Sequence, residues 1–502
     1  MSNQLILAVD QGTGSTKGLL FNSQLQPVVS ATANIGQASP NPGWVEQDPI
    51  EILASVEKVI AELAAAVGPD SGNPADIAGL ALTNQRESAM AWDPQTGQPL
   101  SALLGWQDRR TASAVARYNP ETQAMVRKIS GLPLDPMFSA LKFAWILDQI
   151  DPDRSKSRTG QIALGTVDSW LVFRLTGKHQ IEVGNASRTQ LLDVERAAWS
   201  PKLHTLFNIP VEALPQVVAS DDDTAIINSG PLAGKPILAV LADSHAALYA
   251  HGSTAKATFG TGSSIMARTD APTDHPGLVN TIAWAVAGQG FGTMHPGESD
   301  HGTTARITTA VEGNILSSGS TLIWLGGLLN QTTHDLAALA PTASTDPRHA
   351  LNLVPAFGGL GAPWWSTSAT AQLTGMTLGS GIAELAKAAF DSVVLQINDV
   401  LKVIDEIRGE PLTRISVDGG PTSNEWLMQL MADLSQRIVV RADIPELSAL
   451  GVAAFAGAHS GIWQNTPAAT NTSFAPKLSA AAAFERRTSW DAAVADSLKT
   501  TN

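Results

Sequence analysis

Three short segments place acidic, hydroxyl and glycine residues at the ends of apolar runs. The first is Asp10-Gln-Gly-Thr-Gly-Ser-Thr-Lys17. A carboxylate at a strand end can hold a magnesium ion while the following glycines let backbone N–H groups approach phosphate oxygens. The hydroxyls of Thr13, Ser15 and Thr16 and the ammonium of Lys17 can meet the same oxygens. The segment is neither a Walker loop nor a dinucleotide fingerprint, and Gly177-Lys178 and Gly234-Lys235 are followed by His179 and Pro236 rather than Ser or Thr. Phe259-Gly-Thr-Gly-Ser-Ser264 is the second segment and Asp418-Gly-Gly-Pro-Thr-Ser-Asn424 the third. The first two alone read equally well as ordinary turns, and the third alone is most often just a turn. Three of them, spread over both halves of the chain, point to phosphate and nucleotide binding.

Asp243, at the end of the apolar run 237–242, has the position of a general base. Phosphoryl transfer to an alcohol needs a carboxylate to take the hydroxyl proton. The same Asp-Ser-His-Ala-Ala string also reads as a helix start. Arg86 and Glu87 could grip adjacent hydroxyls of a polyol, one donating and one accepting, or form a surface ion pair. Trp106, Trp145, Trp284, Trp364 and Trp365 are possible sugar platforms, although any one tryptophan is more often core. His245 has no second histidine at metal-site spacing and reads as a satisfied core residue.

The elements that must carry these residues alternate between strand and helix. Strands are expected at 5–10, 17–21, 77–83, 237–242 and 415–418, with a further hairpin over 256–268. Helices are expected at 51–67, 141–150, 382–408 and 424–435. The class is therefore α/β. Each half holds an apolar strand, a Gly/Thr hairpin tip and helices, which suggests two related domains, 1–242 and 243–463. Residues 464–502 read as a loosely packed C-terminal extension with a last helix near 490–498.

The 502 residues are 44% hydrophobic and 16% charged, which suits a large buried core and argues against disorder. A net charge of −14 disfavours nucleic acid and anionic membranes as partners. Without cysteine there is no disulfide, thiolate metal site or cysteine nucleophile. No signal-like or membrane-spanning stretch stands out, so a cytoplasmic protein is expected.

Taken in order, the motifs resemble the FGGY family of carbohydrate kinases, most closely its glycerol kinase branch. The resemblance runs almost end to end. It is carried by residues 7–17, Pro42-Gly-Trp-Val-Glu-Gln-Asp-Pro49, Thr83-Asn-Gln-Arg-Glu87, the signature-like stretch 137–149, Gly165-Thr-Val-Asp-Ser-Trp170, Asn185-Ala-Ser-Arg-Thr189, Val354-Pro-Ala-Phe357, Gly359-Leu-Gly-Ala-Pro363 and Val417-Asp-Gly-Gly420. It implies two ribonuclease-H-like domains of the actin and hexokinase type around a cleft, with ATP and Mg2+ mainly on the second and the acceptor mainly on the first. By motif position, Asp10 and Asp243 would lie at the metal. Thr13, Gly14 and Lys17 would face the γ-phosphate, and Thr261 and Gly262 the β-phosphate. Gly319, Ile323, Gly420, Pro421 and Asn424 would frame the adenosine. Asp243 would be the base, and Arg86, Glu87, Trp106, Met137, Asp243, Ser244 and Ser264 would form the acceptor pocket. The resemblance also suggests a homodimer or larger homo-oligomer.

The chain departs from the glycerol kinase pattern at Met137 (Tyr there), Ser244 (Gln there) and Ser264 (an aromatic there). Asp108 in Trp106-Gln-Asp-Arg109 is closer to the string of pentulose kinases. Two missing aromatics leave extra volume, and an unfilled pocket orients a small acceptor poorly. The expected acceptor is a four- or five-carbon polyol or ketose such as xylulose, with glycerol as the alternative. An actin-like ATPase acting on a protein and a sugar sensor without turnover are remoter readings.

Overall fold

The computed structural model describes residues 4–68, 76–287, 306–344, 350–444, 446–463 and 471–499. Leu5 to Val9 are all buried, as an apolar run must be when both faces of its strand are covered. They form β1 (Gln4–Gln11) at the centre of a five-stranded sheet. β2 (Ser15–Phe21) and β3 (Pro27–Asn34) follow it on one side, each antiparallel to the last. β4 (Asp76–Asn84) and β5 (Ile237–Ala242) lie parallel on the other side, giving the order β5-β4-β1-β2-β3.

The second half repeats this plan. β6 (Ala255–Phe259), β7 (Ser263–Thr269) and β9 (Arg306–Ile315) run antiparallel in succession, and β10 (Arg414–Asp418) and β11 (Ile438–Ala442) lie parallel beyond β6. β8 (Val279–Val286) and β12 (Asn471–Phe474) add one strand at each edge, completing a seven-stranded sheet. The shared design expected of the two halves is thus a shared strand order. It is the ribonuclease-H-like arrangement of actin- and hexokinase-type ATPases, with helices covering both sheets.

Three helices matter most for what the sheets present. α1 (Pro49–Ala66) packs under β2 and β3. α2 (Ser139–Ile150) starts two residues before the expected helix, and α3 (Asp243–His251) begins at the aspartate that the sequence singles out. α4 (Gly319–Leu329), α5 (Ile382–Arg408) and α6 (Glu425–Ser435) belong to the second half, and α5 has the bounds expected from its periodicity. Not every residue after Ala242 leaves the first half. α3 and α7 (Leu447–His459) share one buried cluster with Ile6, Ala8, Ala81 and Leu241 of the first sheet.

The tail differs from the expectation of loose packing. β12 pairs with β11, and α8 (Ala480–Lys499) starts ten residues earlier than the expected helix. Trp490 is 1% exposed inside the second core, and its indole N–H donates to Asp399 of α5 at 2.9 Å. Ala- and Ser-rich composition hid this, because a few residues anchor the helix: Trp490, the buried Val494, and Arg486, which bonds Asp391 at 2.8 Å and the Leu351 carbonyl at 2.9 Å. Among the described residues no helix is long and apolar enough to cross a membrane.

α3 and α7 touch backbone to backbone at Gly451. A Cβ there would lie 1.8 Å from the carbonyl oxygen of Ala246. The contact fixes the height of α3, and so of Asp243 at its first turn. Gly451→Ala is expected to lower stability by about 1–3 kcal/mol through overpacking, read by denaturant unfolding. An unchanged midpoint would show that the two helices separate freely.

Candidate active site

Parallel strands bring their carboxyl ends to one edge, where α/β sheets bind ligands. Asp10 lies opposite Thr83 across β1 and β4, and Ala242 lies opposite Asn84 across β5 and β4. This register gathers Asp10, the turn 85–87 and Asp243 although they are far apart in sequence. Asp10 Oδ1 is buried without a hydrogen-bond partner. Burial, reinforced by the negative charge of Asp243 and opposed by Lys17, pushes the Asp10 carboxyl up to about 7. Burial also raises Asp243, against the pull of Arg86. Asp243 keeps its side chain 38% exposed, and Oδ1 accepts from the backbone N–H of Ser244 at 2.6 Å.

An orphaned carboxylate oxygen beside a second carboxylate suits a divalent cation. Among the described residues no group of three or more His, Cys, Asp or Glu gathers as a complete metal cage. Magnesium takes one or two carboxylates and fills its shell with water and phosphate oxygens, so Asp10 and Asp243 are the residues present that fit it.

The hairpin tip between β1 and β2 sorts its side chains by strand alternation. The Thr16 hydroxyl, assigned above to phosphate, instead points inward and bonds the Ser55 hydroxyl of α1 at 2.7 Å. Thr13 and Gly14 stay at the tip. Gln47 donates to the Thr13 carbonyl at 2.8 Å, and Gln85 braces Gln47 and Gln11 at 2.9 and 3.2 Å. The Trp106 indole N–H donates to Thr13 Oγ1 at 3.2 Å, so a residue assigned to the acceptor touches one assigned to phosphate. Lys17 is half exposed and lies 3.8 Å from Glu446.

The second sheet presents its own loops together. Gly319 N–H donates to the Gly260 carbonyl and Ser320 N–H to the Thr261 carbonyl, both at 3.0 Å, which joins the β6–β7 tip to the start of α4. Gly419 has φ 98°, and a Cβ there would meet the Phe259 carbonyl oxygen at 2.0 Å. Only glycine lets these loops approach so closely. Thr261, Gly262, Gly319, Gly420, Pro421 and Asn424 therefore fall in one region. Asn424 is also the N-cap of α6, its Oδ1 accepting from Leu427 N–H at 3.1 Å. Ile323 sits on the outer face of α4 with 63% exposure.

Arg86 and Glu87 are neither a surface pair nor a free pair. Arg86 forms a two-pronged bond to Glu312 of β9, at 2.9 and 3.1 Å, and its Nε lies 3.4 Å from Asp243 Oδ1. Glu87 Oε1 accepts from Arg188 Nε at 2.6 Å, and Arg188 Nη2 lies 3.0 Å from Glu312 Oε2. Burial alone would raise the Glu312 carboxyl, but Arg86 and Arg188 hold it well below the usual range. Ser264 donates its hydroxyl to Glu312 Oε1 at 2.7 Å, which places Ser264 beside Arg86. Ser244 is half-buried next to Asp243, and Met137 precedes α2, partly packed against Leu132, Phe138 and Val279.

Sequence reasoning missed Glu312 and Arg188. Arg188 lies in the quoted string 185–189 but received no role there. Glu312 is a lone acid inside the apolar strand 310–315, and a buried charge in such a place needs a partner. Asp108 lies inside the fold. It is fully buried and occupied by Val45 N–H at 2.7 Å and the Arg110 guanidinium at 2.8–3.0 Å. Of the tryptophans, Trp284 is core and Trp145 packs edge-on to Trp44 beside Arg110. Trp364 and Trp365 are exposed on the second half, while Trp106 alone reaches the hairpin tip.

Residues 5–249 match the N-terminal domain model of the FGGY family of carbohydrate kinases and residues 255–460 match the C-terminal domain model. A glycerol kinase of Burkholderia cenocepacia is 38% identical over 98% of both chains. The solved structure of Plasmodium falciparum glycerol kinase with ADP superposes with a TM-score of 0.87 at 27% identity, covering 99% of this chain and 98% of that one. The fold is also shared with a ligand-bound xylulose kinase from Lactobacillus acidophilus, at a TM-score of 0.85, 19% identity and 99% coverage of both chains. With both domain models matched and the strand-end site in place, the chain belongs to the FGGY family of carbohydrate kinases, which are ATP-dependent phosphotransferases.

Proposed function

We propose that the protein transfers the γ-phosphoryl group of ATP to a terminal primary hydroxyl of a four- or five-carbon polyol or ketose, such as xylulose. The observation that carries the choice of acceptor is Ser264. It stands beside Arg86 and spends its hydroxyl on Glu312, in a place where the resemblance calls for an aromatic wall. Met137 supplies a flexible thioether at the second such position. A glycerol acceptor is the second reading, favoured by 38% identity to glycerol kinases over nearly the whole chain.

In this reading the acceptor lies against Arg86, Glu87, Trp106, Met137, Asp243, Ser244 and Ser264, chiefly on residues 1–242. The nucleotide lies on Thr261, Gly262, Gly319, Ile323, Gly420, Pro421 and Asn424, within residues 243–463. Asp243 accepts the hydroxyl proton as the new P–O bond forms. Its raised affinity for a proton, from burial, makes it a better base than an exposed carboxylate. Thr13, Gly14 and Lys17 orient the transferring phosphoryl group and offset its charge. Magnesium, when held by Asp10 and Asp243, would supply further positive charge to the phosphate oxygens. The enzyme acts in the cytoplasm on a small molecule, as a homodimer or larger assembly.

Asp243→Asn is expected to lower kcat by about 10²–10⁴-fold, with ATP binding kept, measured by coupled ADP release and nucleotide titration. Undiminished turnover would remove Asp243 from the proton transfer. Acceptor choice is read on glycerol, erythritol, ribitol, xylitol, D-xylulose, D- and L-ribulose and gluconate. A larger kcat/KM on a four- or five-carbon acceptor than on glycerol is expected. The double change Met137→Tyr with Ser264→Phe should move the preference toward glycerol by roughly 10–200-fold. Glycerol as the best substrate of the unaltered enzyme would sink the wide-pocket reading. ATP hydrolysis indifferent to every acceptor would instead favour an ATPase.

A further inference from the structure

Glu87 adopts φ 60°, in the left-handed region. A residue with a long side chain stays there only when its surroundings hold it. Two groups do so. Arg188 takes the carboxylate at 2.6 Å, and Lys142 donates from Nζ to the Glu87 carbonyl at 2.8 Å. The same ammonium donates to the Met137 carbonyl at 2.6 Å. Lys142 lies on α2 and is fully buried.

A buried ammonium is an expensive group to use for two main-chain carbonyls. Burial pushes it down to about 7, against the pull of Glu87, Asp108 and Asp135. Attachment of the helix does not require it, since Ser139 of α2 already bonds the Ser88 carbonyl at 2.8 Å. What Lys142 adds is a bracket between the main chain of Glu87 and that of Met137. A second tie runs the same way: the Arg188 guanidinium that holds Glu87 sits 5.3 Å above the ring of Phe138, the neighbour of Met137. Asp135 Oδ1 fixes the other side of Met137 through its N–H at 2.8 Å.

We infer that Lys142 is a positioning residue that sets the spacing of Glu87 and Met137, and through it the tightness and chain-length preference of the acceptor pocket. The inference rests on the kinase reading above. Both hydrogen bonds of Lys142 go to residues on the acceptor side and neither goes to a phosphate loop, so its direct effect falls on the acceptor.

The test compares Lys142→Met, which keeps the apolar stem and removes the donors, with Lys142→Gln, which keeps a neutral donor. Both run beside the unaltered enzyme on ATP and on the acceptor panel, with thermal unfolding recorded. Lys142→Met is expected to raise acceptor KM about tenfold or more, to leave ATP KM within about twofold, and to flatten the ratio of kcat/KM between acceptors differing by one carbon. Lys142→Gln should recover part of both losses. A folded Lys142→Met enzyme with unchanged acceptor KM and acceptor ratio overturns the inference, as does an equal rise in both KM values. If Lys142→Met does not fold, the same readings are taken on Lys142→Gln. Failure of both to fold assigns Lys142 to the fold alone and overturns it too. An unaltered enzyme that phosphorylates no member of the panel marks failure of the kinase reading, and the inference falls with it. Normal turnover with insensitive variants marks failure of the inference only.

Discussion

Glu312 is a carboxylate with no access to water, and two guanidinium groups from the other half of the chain converge on it. Arg86 meets it with two hydrogen bonds, and Arg188 lies beside it as an ion pair at 3.0 Å while donating its Nε to Glu87. Charges so deeply buried are destabilising unless their hydrogen bonds and partners are nearly all in place. The network therefore has few acceptable geometries. It ties a strand of the second sheet to the turn after β4, the turn that carries Arg86 and Glu87. Apolar clusters also join the two halves, but the two-pronged ion pair adds a direction that dispersion, being non-directional, does not supply.

Around that fixed point the two sheets apply one solution twice. Each has a central strand, an antiparallel hairpin on one side and parallel strands on the other. Parallel strands end at the same edge, so carboxylates and glycine turns from distant segments meet without any special loop. The first sheet brings Asp10 and Asp243 together, and the second brings together its β6–β7 tip, the start of α4 and the turn after β10. Backbone contacts at glycine let the three loops of the second sheet share a small space. The acidic edge and the amide-rich edge are complementary to a metal-bearing polyphosphate, which carries both positive and negative ends.

Much of this was legible from local pattern. Five apolar residues ending in Asp10-Gln-Gly form a buried strand and turn wherever they fold, and α5 shows its bounds through periodicity alone. Thr16 was misread although the information was present. It lies between half-exposed Ser15 and exposed Lys17 on a strand, and the period of two sends its hydroxyl into the core against Ser55. Trp490 was lost for the opposite reason. Nothing in an Ala- and Ser-rich tail tells which surface will receive Trp490.

The sequence by itself determined the alternation of strand and helix, which rests on neighbours within a few positions, and the family, which rests on motifs in a fixed order. Tertiary structure decided what individual residues are free to do. It committed Asp108 to Arg110 and Val45 and turned Thr16 away from the tip. It gave Arg86 to Glu312 and put Lys142 under both Glu87 and Met137. Most of these partners are 39 to 226 residues apart, and only Asp108 with Arg110 and Lys142 with Met137 are near in sequence. A charge or hydroxyl shows its type in the sequence, but its partner is chosen by which surfaces the fold brings within hydrogen-bond reach.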